Sequence, residues 1–123
     1  MTNNKTNKES WHQAQYVEWA TYKGIAHFLI VSVSAGSRLK ISGAHLKAQG
    51  WQKGIPDIFL AIPNKTYHGL FIELKRSKEF SSKVSKEQKL MLDRLQSVGY
   101  FAIVAYGHRS AEEITERYLE GYL

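Results

Sequence analysis

Two acidic residues and a lysine stand in or beside runs that a folded sheet would bury, and this limits what the chain can become. Asp57 closes Gly54-Ile55-Pro56-Asp57 and leads into Ile58-Phe59-Leu60-Ala61-Ile62. Sixteen residues later, Glu73-Leu74-Lys75 follows Gly69-Leu70-Phe71-Ile72. Side chains alternate along a strand, so Glu73 and Lys75 point to one face. Charges are expensive to bury unless they are paired or bind a metal. Two carboxylates and one ammonium converging from neighbouring strands make a site for a divalent cation and an activated water.

The rest of the chain reads as the scaffold for such a site. A helix is expected from Glu9 to Tyr22, with Gln13, Tyr16, Val17 and Ala20 on one face, Glu9 on the same side and Glu18 opposite. Gly24 ends it. His27 to Ser34 reads as a strand, Ser34 to Arg38 as a turn, and Ala44 to Gln49 as a short helix stopped by Gly50. Ile58–Ile62 and Leu70–Lys75 flank a turn at Asn64 to His68 and so form an antiparallel pair, followed by a polar loop from Ser77 to Lys83. Ser85, with Gln88 three residues on, opens a helix as a capping box, and Gly99 closes it. Tyr100 to Tyr106 is a further strand, and Ser110 with Glu113 opens a last helix to Leu119. The order α-β-β-β-α-β-α predicts an α/β fold, a mixed sheet flanked by helices.

A length of 123 residues suits one compact domain. The expected division is a flexible polar leader at 1–8 and a single domain at 9–123. With 43% hydrophobic and 23% charged residues the composition is that of an ordinary soluble protein. No apolar run approaches a membrane span, and the polar start carries no signal core. The absence of cysteine excludes disulfides and thiolate metal sites and fits a cytoplasmic setting. The five histidines, His12, His27, His45, His68 and His108, lack ligand spacing, which argues against zinc. No glycine-rich nucleotide fingerprint calls for an organic cofactor. The net charge of +6 is compatible with a polyanionic partner.

Taken in order, these motifs resemble the PD-(D/E)xK nuclease superfamily and, within it, the VRR-NUC branch. The matching residues are Glu9 and Gln13, then Gly54-Ile55-Pro56-Asp57, then Ile72-Glu73-Leu74-Lys75, then Ser85-Lys86-Glu87-Gln88, then Gly99-Tyr100. They span roughly residues 9 to 120. The resemblance implies a restriction-endonuclease-like core and cleavage of DNA that depends on Mg²⁺ or Mn²⁺. It also implies a stand-alone enzyme of the phage or bacterial kind, a homodimer acting on branched DNA such as four-way (Holliday) junctions.

Phosphodiester hydrolysis needs a nucleophilic water, neutralisation of the phosphoryl oxygens and help for the leaving alkoxide. Mg²⁺ takes oxygen ligands at about 2.1 Å and keeps several waters. Asp57 and Glu73 are its expected ligands. The resemblance adds the Leu74 carbonyl, and Glu9 would reach across from the first helix. Lys75 would orient or deprotonate the water, or stabilise developing charge; with an ordinary pKa near 10.4, lysine is a poor base unless that value is lowered. Gln88 is open to two readings, the capping partner of Ser85 or a group facing the site, and Gln13 shares the ambiguity. Expected phosphate contacts are Arg38, Lys40, Lys47, Lys53 and Lys78, with Arg76 beside them. Trp51 either packs locally or stacks on a base. Trp11, Tyr118 and Tyr122 are candidate exposed aromatics for a dimer interface. The rival reading of the whole chain is a DNA-binding module that keeps the fold without catalysis.

Overall fold

The protein is described by a computed structural model, which describes residues 8–32, 43–79 and 83–123. The expected leader and the residues Arg38 and Lys40 therefore lie largely or wholly outside the described residues. In chain order the elements are α1 (Glu9–Tyr22), a 3₁₀ turn (Ala26–Phe28), β1 (Leu29–Val31), α2 (Gly43–Ala48), β2 (Ile58–Leu60), β3 (Leu70–Lys75), α3 (Lys86–Ser97), β4 (Phe101–Tyr106) and α4 (His108–Leu119). The sheet runs β1-β2-β3-β4. The first two pairings are antiparallel and β3–β4 is parallel, so the sheet is mixed as expected. A parallel pair needs a long crossover, and α3 provides it.

Register sorts the side chains. Leu60 pairs with Leu70 and Leu70 with Phe101, while Ile58 pairs with Ile72 and Ile72 with Ile103. These residues share one face with Leu74 and Ala105, and that face packs on Tyr16 of α1 and on Ala111 and Tyr118 of α4. Each fully buried Leu or Ile there contributes about 1.5–3 kcal/mol. The other face carries Phe59 stacked on Phe71, ring centroids 4.2 Å apart, and further along β3 it carries Glu73 and Lys75. The end of β3 is buried on both faces, so its two charges are largely withdrawn from bulk water.

Several boundaries differ from expectation, and the larger shifts have a physical reason. The strand expected from His27 begins only at Leu29, because Phe28 N–H closes a turn onto the Ile25 carbonyl. β2 stops at Leu60 instead of Ile62, three residues before Pro63, which has no N–H to give a ladder. Asn64 then organises the turn: its Oδ1 accepts from the Thr66 and Tyr67 amides at 2.8 and 2.7 Å. Its Nδ2 donates to the Tyr118 and Leu123 carbonyls at 3.0 and 3.3 Å, tying down the C-terminus. Tyr118, expected at the surface, is fully buried, and its hydroxyl donates to the Ile62 carbonyl at 2.8 Å. The helical period that places Ala111 and Thr115 inward carries Tyr118 with them.

α4 starts at His108, two residues before Ser110. Its cap is not local. His12 of α1 accepts the His108 N–H at Nδ1, 3.0 Å away, so the tertiary contact displaces the Ser110–Glu113 box. Acceptance at Nδ1 requires that nitrogen to be unprotonated. Burial, with His108 beside it, lowers the His12 pKa. A histidine lowered on folding contributes stability that is present above its unfolded value of about 6.5 and is lost as pH falls below it. His12→Asn keeps an acceptor but cannot titrate. The melting temperature of wild type should therefore fall more steeply than that of His12→Asn between pH 7 and 5. Parallel profiles would remove His12 as the cause.

Candidate functional site

Pro56 is buried and Asp57 half-buried where the chain enters β2. Two hydrogen bonds hold this entry to the segment after β1. Ser32 N–H donates to the Asp57 carbonyl at 2.9 Å, and Ser32 Oγ donates to the Pro56 carbonyl at 3.0 Å. The Asp57 carboxylate turns the other way. Its Oδ2 accepts the Leu74 amide at 2.7 Å, so the acid is aimed at the middle of Glu73-Leu74-Lys75.

Glu73 and Lys75 are 3% and 4% exposed. Lys75 Nζ lies 3.8 Å from Glu73 Oε2. The same oxygen accepts from Gln88 Nε2 at 3.1 Å. Gln88 also completes the helix cap, its Oε1 accepting the Ser85 amide at 2.9 Å while its own N–H donates to Ser85 Oγ at 3.1 Å. The two readings of Gln88 are thus one arrangement: the cap fixes the amide's oxygen, and its nitrogen is left pointing at Glu73.

Burial, then the nearby Asp57 carboxylate, pushes the Glu73 carboxyl up to about 8. Burial also raises Asp57, although the Leu74 amide and Lys75 pull the other way. Glu9, at the start of α1, is raised by burial too, with Lys75 opposing. Glu73 Oε1 is buried and no hydrogen-bond donor reaches it. Lys75, with Arg76 acting on Glu9, opposes these shifts without cancelling them.

These acids open onto a cavity of about 480 Å³, whose polar wall includes Glu9, Asp57, Glu73 and Gln88. Trp51, Ile55 and Val31 also line it. Glu18 is exposed, as its place on the helix wheel required, and Gln13 is half-buried and does not line the cavity. Lys75 sits behind Glu73, off the cavity wall. Lys47 and Lys53 are exposed, and Lys78 is exposed with its Nζ 6.0 Å from the Tyr106 ring centre.

Among the described residues no three His, Cys, Asp or Glu side chains are close enough to form a metal cage. The set is two facing carboxylates with Glu9 farther along the cavity. That suits a hard cation that keeps most of its waters and takes one or two carboxylates, as Mg²⁺ does. The unpartnered Glu73 oxygen and the raised acid pair fit it as well, since a cation would supply the missing charge.

The cavity wall also holds residues that the motif reading did not assign to the site: Ser32, Gln52, Ile55 and Val31. Ile55 could have been found, because it lies inside Gly54-Ile55-Pro56-Asp57. Ser32 could not, because nothing local ties it to Asp57.

A family model described as the VRR-NUC domain matches residues 3–109. A solved structure described as "VRR_NUC domain protein" is similar to this chain, with a TM-score of 0.80 and 24% sequence identity, covering 92% of this chain and 88% of that one. At that identity the likeness shows a common fold. No curated protein matches. No helix among the described residues is long and apolar enough to cross a membrane.

Proposed function

Because the chain belongs to the VRR-NUC family, we propose that it is an endonuclease that hydrolyses DNA phosphodiester bonds with the help of Mg²⁺ or Mn²⁺. The observation that carries this reading is the pairing of Asp57 and Glu73 at one cavity, with Lys75 3.8 Å from Glu73 behind the wall and a buried Glu73 oxygen left without a donor. Asp57, Glu73 and the Leu74 carbonyl would hold the ion, with Glu9 nearby. When bound, the ion supplies Lewis-acid activation of water and neutralises phosphoryl charge.

The chain's own residues do the positioning. Leu74 N–H fixes the rotamer of Asp57, and Gln88 fixes that of Glu73. Lys75 adds a positive charge 3.8 Å from Glu73 and opposes charge building up on the phosphoryl oxygens, a role that needs no proton transfer. Gln13 and Ser85 support from α1 and the α3 cap. Lys47, Lys53 and Lys78, together with Arg38 and Lys40, hold the DNA backbone, which positions the duplex and reads no sequence. Selectivity would then come from DNA structure, such as a branch or junction. A homodimer would place two sites symmetrically, in a cytoplasm where such DNA occurs.

The test is a panel of labelled duplex, flap, single-stranded and junction DNA, incubated with Mg²⁺ or Mn²⁺. Wild type should cleave at least one substrate, and EDTA should stop it. Lys75→Ala should slow cleavage by about 10²- to 10³-fold, the usual cost of one electrostatic group at a transition state, while DNA affinity stays within a few-fold. Salt-sensitive binding without cleavage under any ion would favour the binding-module reading instead. Light scattering on the same sample should give twice the 14.1 kDa chain mass; a monomer that cleaves junctions removes the dimer.

A further inference from the structure

The cavity is larger and greasier than a phosphate and a hydrated cation require. Its volume of about 480 Å³ lies within the range of about 300–1,000 Å³ typical of pockets for whole organic ligands. Part of its lining is apolar and in contact with water: Ile55 is 39% exposed and Val31 38%. Trp51 is held at this wall by its backbone, its N–H donating to the Leu46 carbonyl of α2 at 2.9 Å. Its ring has no aromatic neighbour among the described residues. The other two tryptophans do: Trp11 meets His12 and His108, and Trp19 meets Tyr16. A half-buried, unstacked indole in the same cavity as the acid pair is poorly explained by phosphate chemistry. It is well suited to the flat face of a base.

We propose that Trp51, flanked by Ile55, is a stacking platform for one unpaired nucleobase next to the scissile phosphate, so that the substrate class is DNA with an unstacked nucleotide at the cut. The proposal rests on the nuclease reading for its placement of the phosphate. A base inside a regular duplex cannot leave its stack without cost, whereas a bulged, frayed or branch-point base already has. Stacking on an aromatic ring tolerates any base, so the platform selects structure and leaves sequence unread.

The experiment measures binding by fluorescence anisotropy in EDTA, and cleavage in Mn²⁺ in parallel. The probes are two duplexes of one sequence, one with a single bulged nucleotide and one with an abasic residue in that bulge. Wild type should bind the bulged base about tenfold more tightly than the abasic form, in line with one base–aromatic stack. Trp51→Ala should bind both alike, and Trp51→Phe should recover most of the difference. Binding of the bulged duplex should also quench tryptophan emission in wild type but not in Trp51→Phe, a readout that survives if Trp51→Ala misfolds. Equal affinity of wild type for the two probes, or undiminished discrimination in a folded Trp51→Ala, overturns the platform. Cleavage without discrimination defeats the platform and leaves the nuclease reading standing. Discrimination without cleavage defeats the nuclease reading and the placement of the platform beside a cut while leaving Trp51 as a base-stacking residue, and no DNA binding at all defeats both.

Discussion

Glu73→Gln is expected to reduce cleavage by on the order of 10³-fold or more and yet to raise the melting temperature of the metal-free protein at pH 8. Both effects follow from one placement. The carboxyl is 3% exposed and meets Asp57, so its proton is held up to about pH 8. In the unfolded chain it leaves near 4.5. Between those values the folded state binds more protons than the unfolded one, so this group makes stability fall as pH rises. Glutamine is the neutral isostere of the protonated acid and can still accept from Gln88. At pH 5 wild type and variant should therefore melt close together. At pH 8 in EDTA the variant should melt several degrees higher, since about 1 kcal/mol corresponds to roughly 3–6 °C at this chain length. Adding Mn²⁺ should raise wild type by ligand linkage and leave the variant nearly unmoved. A variant that melts below wild type at pH 8 in EDTA would show that Glu73 is not the strained group, and one that cleaves normally would remove it from the site.

That opposition of stability and function explains which parts of this molecule could be read in advance. Glu73 and Lys75 stood out because they break the local rule that strand interiors are apolar, and Asp57 because it stands at a strand mouth beside them; such breaks collect at functional sites. The helices α1 and α3 were legible from periodicity and caps, and the Ser85–Gln88 box formed as expected. What stayed hidden depends on partners distant in sequence. His12 caps a helix 96 residues away, and Ser32 holds an acid 25 positions further on. Tyr118 carries a polar hydroxyl, so it reads as a surface residue until Ile62 supplies the acceptor. Arg38 and Lys40 lie outside the described residues, so of the expected phosphate contacts only Lys47, Lys53 and Lys78 are placed, and all three are exposed.

The second large effect is expected at Gly54, where it comes from backbone geometry and packing and involves no change of charge. Its φ of +85° places it in the left-handed region, which costs a side chain about 1–2 kcal/mol. A Cβ there would also lie 2.5 Å from the carbonyl carbon and oxygen of Glu87 and 2.8 Å from Gln88 N. These are backbone atoms in the first turn of α3, which cannot swing aside as a flexible side chain would, so overpacking adds about 1–3 kcal/mol. Gly50 separates the two costs: its φ is +100°, but nothing lies within 4 Å of a Cβ built there. Gly50→Ala should lose only the backbone term. Gly54→Ala should lose roughly 3 kcal/mol in all, a large share of the 5–15 kcal/mol that holds a domain folded. Because the clash falls on the residue that orients Glu73, the part of Gly54→Ala that still folds should push α3 outward and loosen the Gln88–Glu73 bond of 3.1 Å. Urea titration with a cleavage assay well below the unfolding midpoint tests both halves. Equal stability losses in the two variants, or full activity in folded Gly54→Ala, would mean that Gly54 serves the turn alone and not the seating of Gln88 over the acid pair.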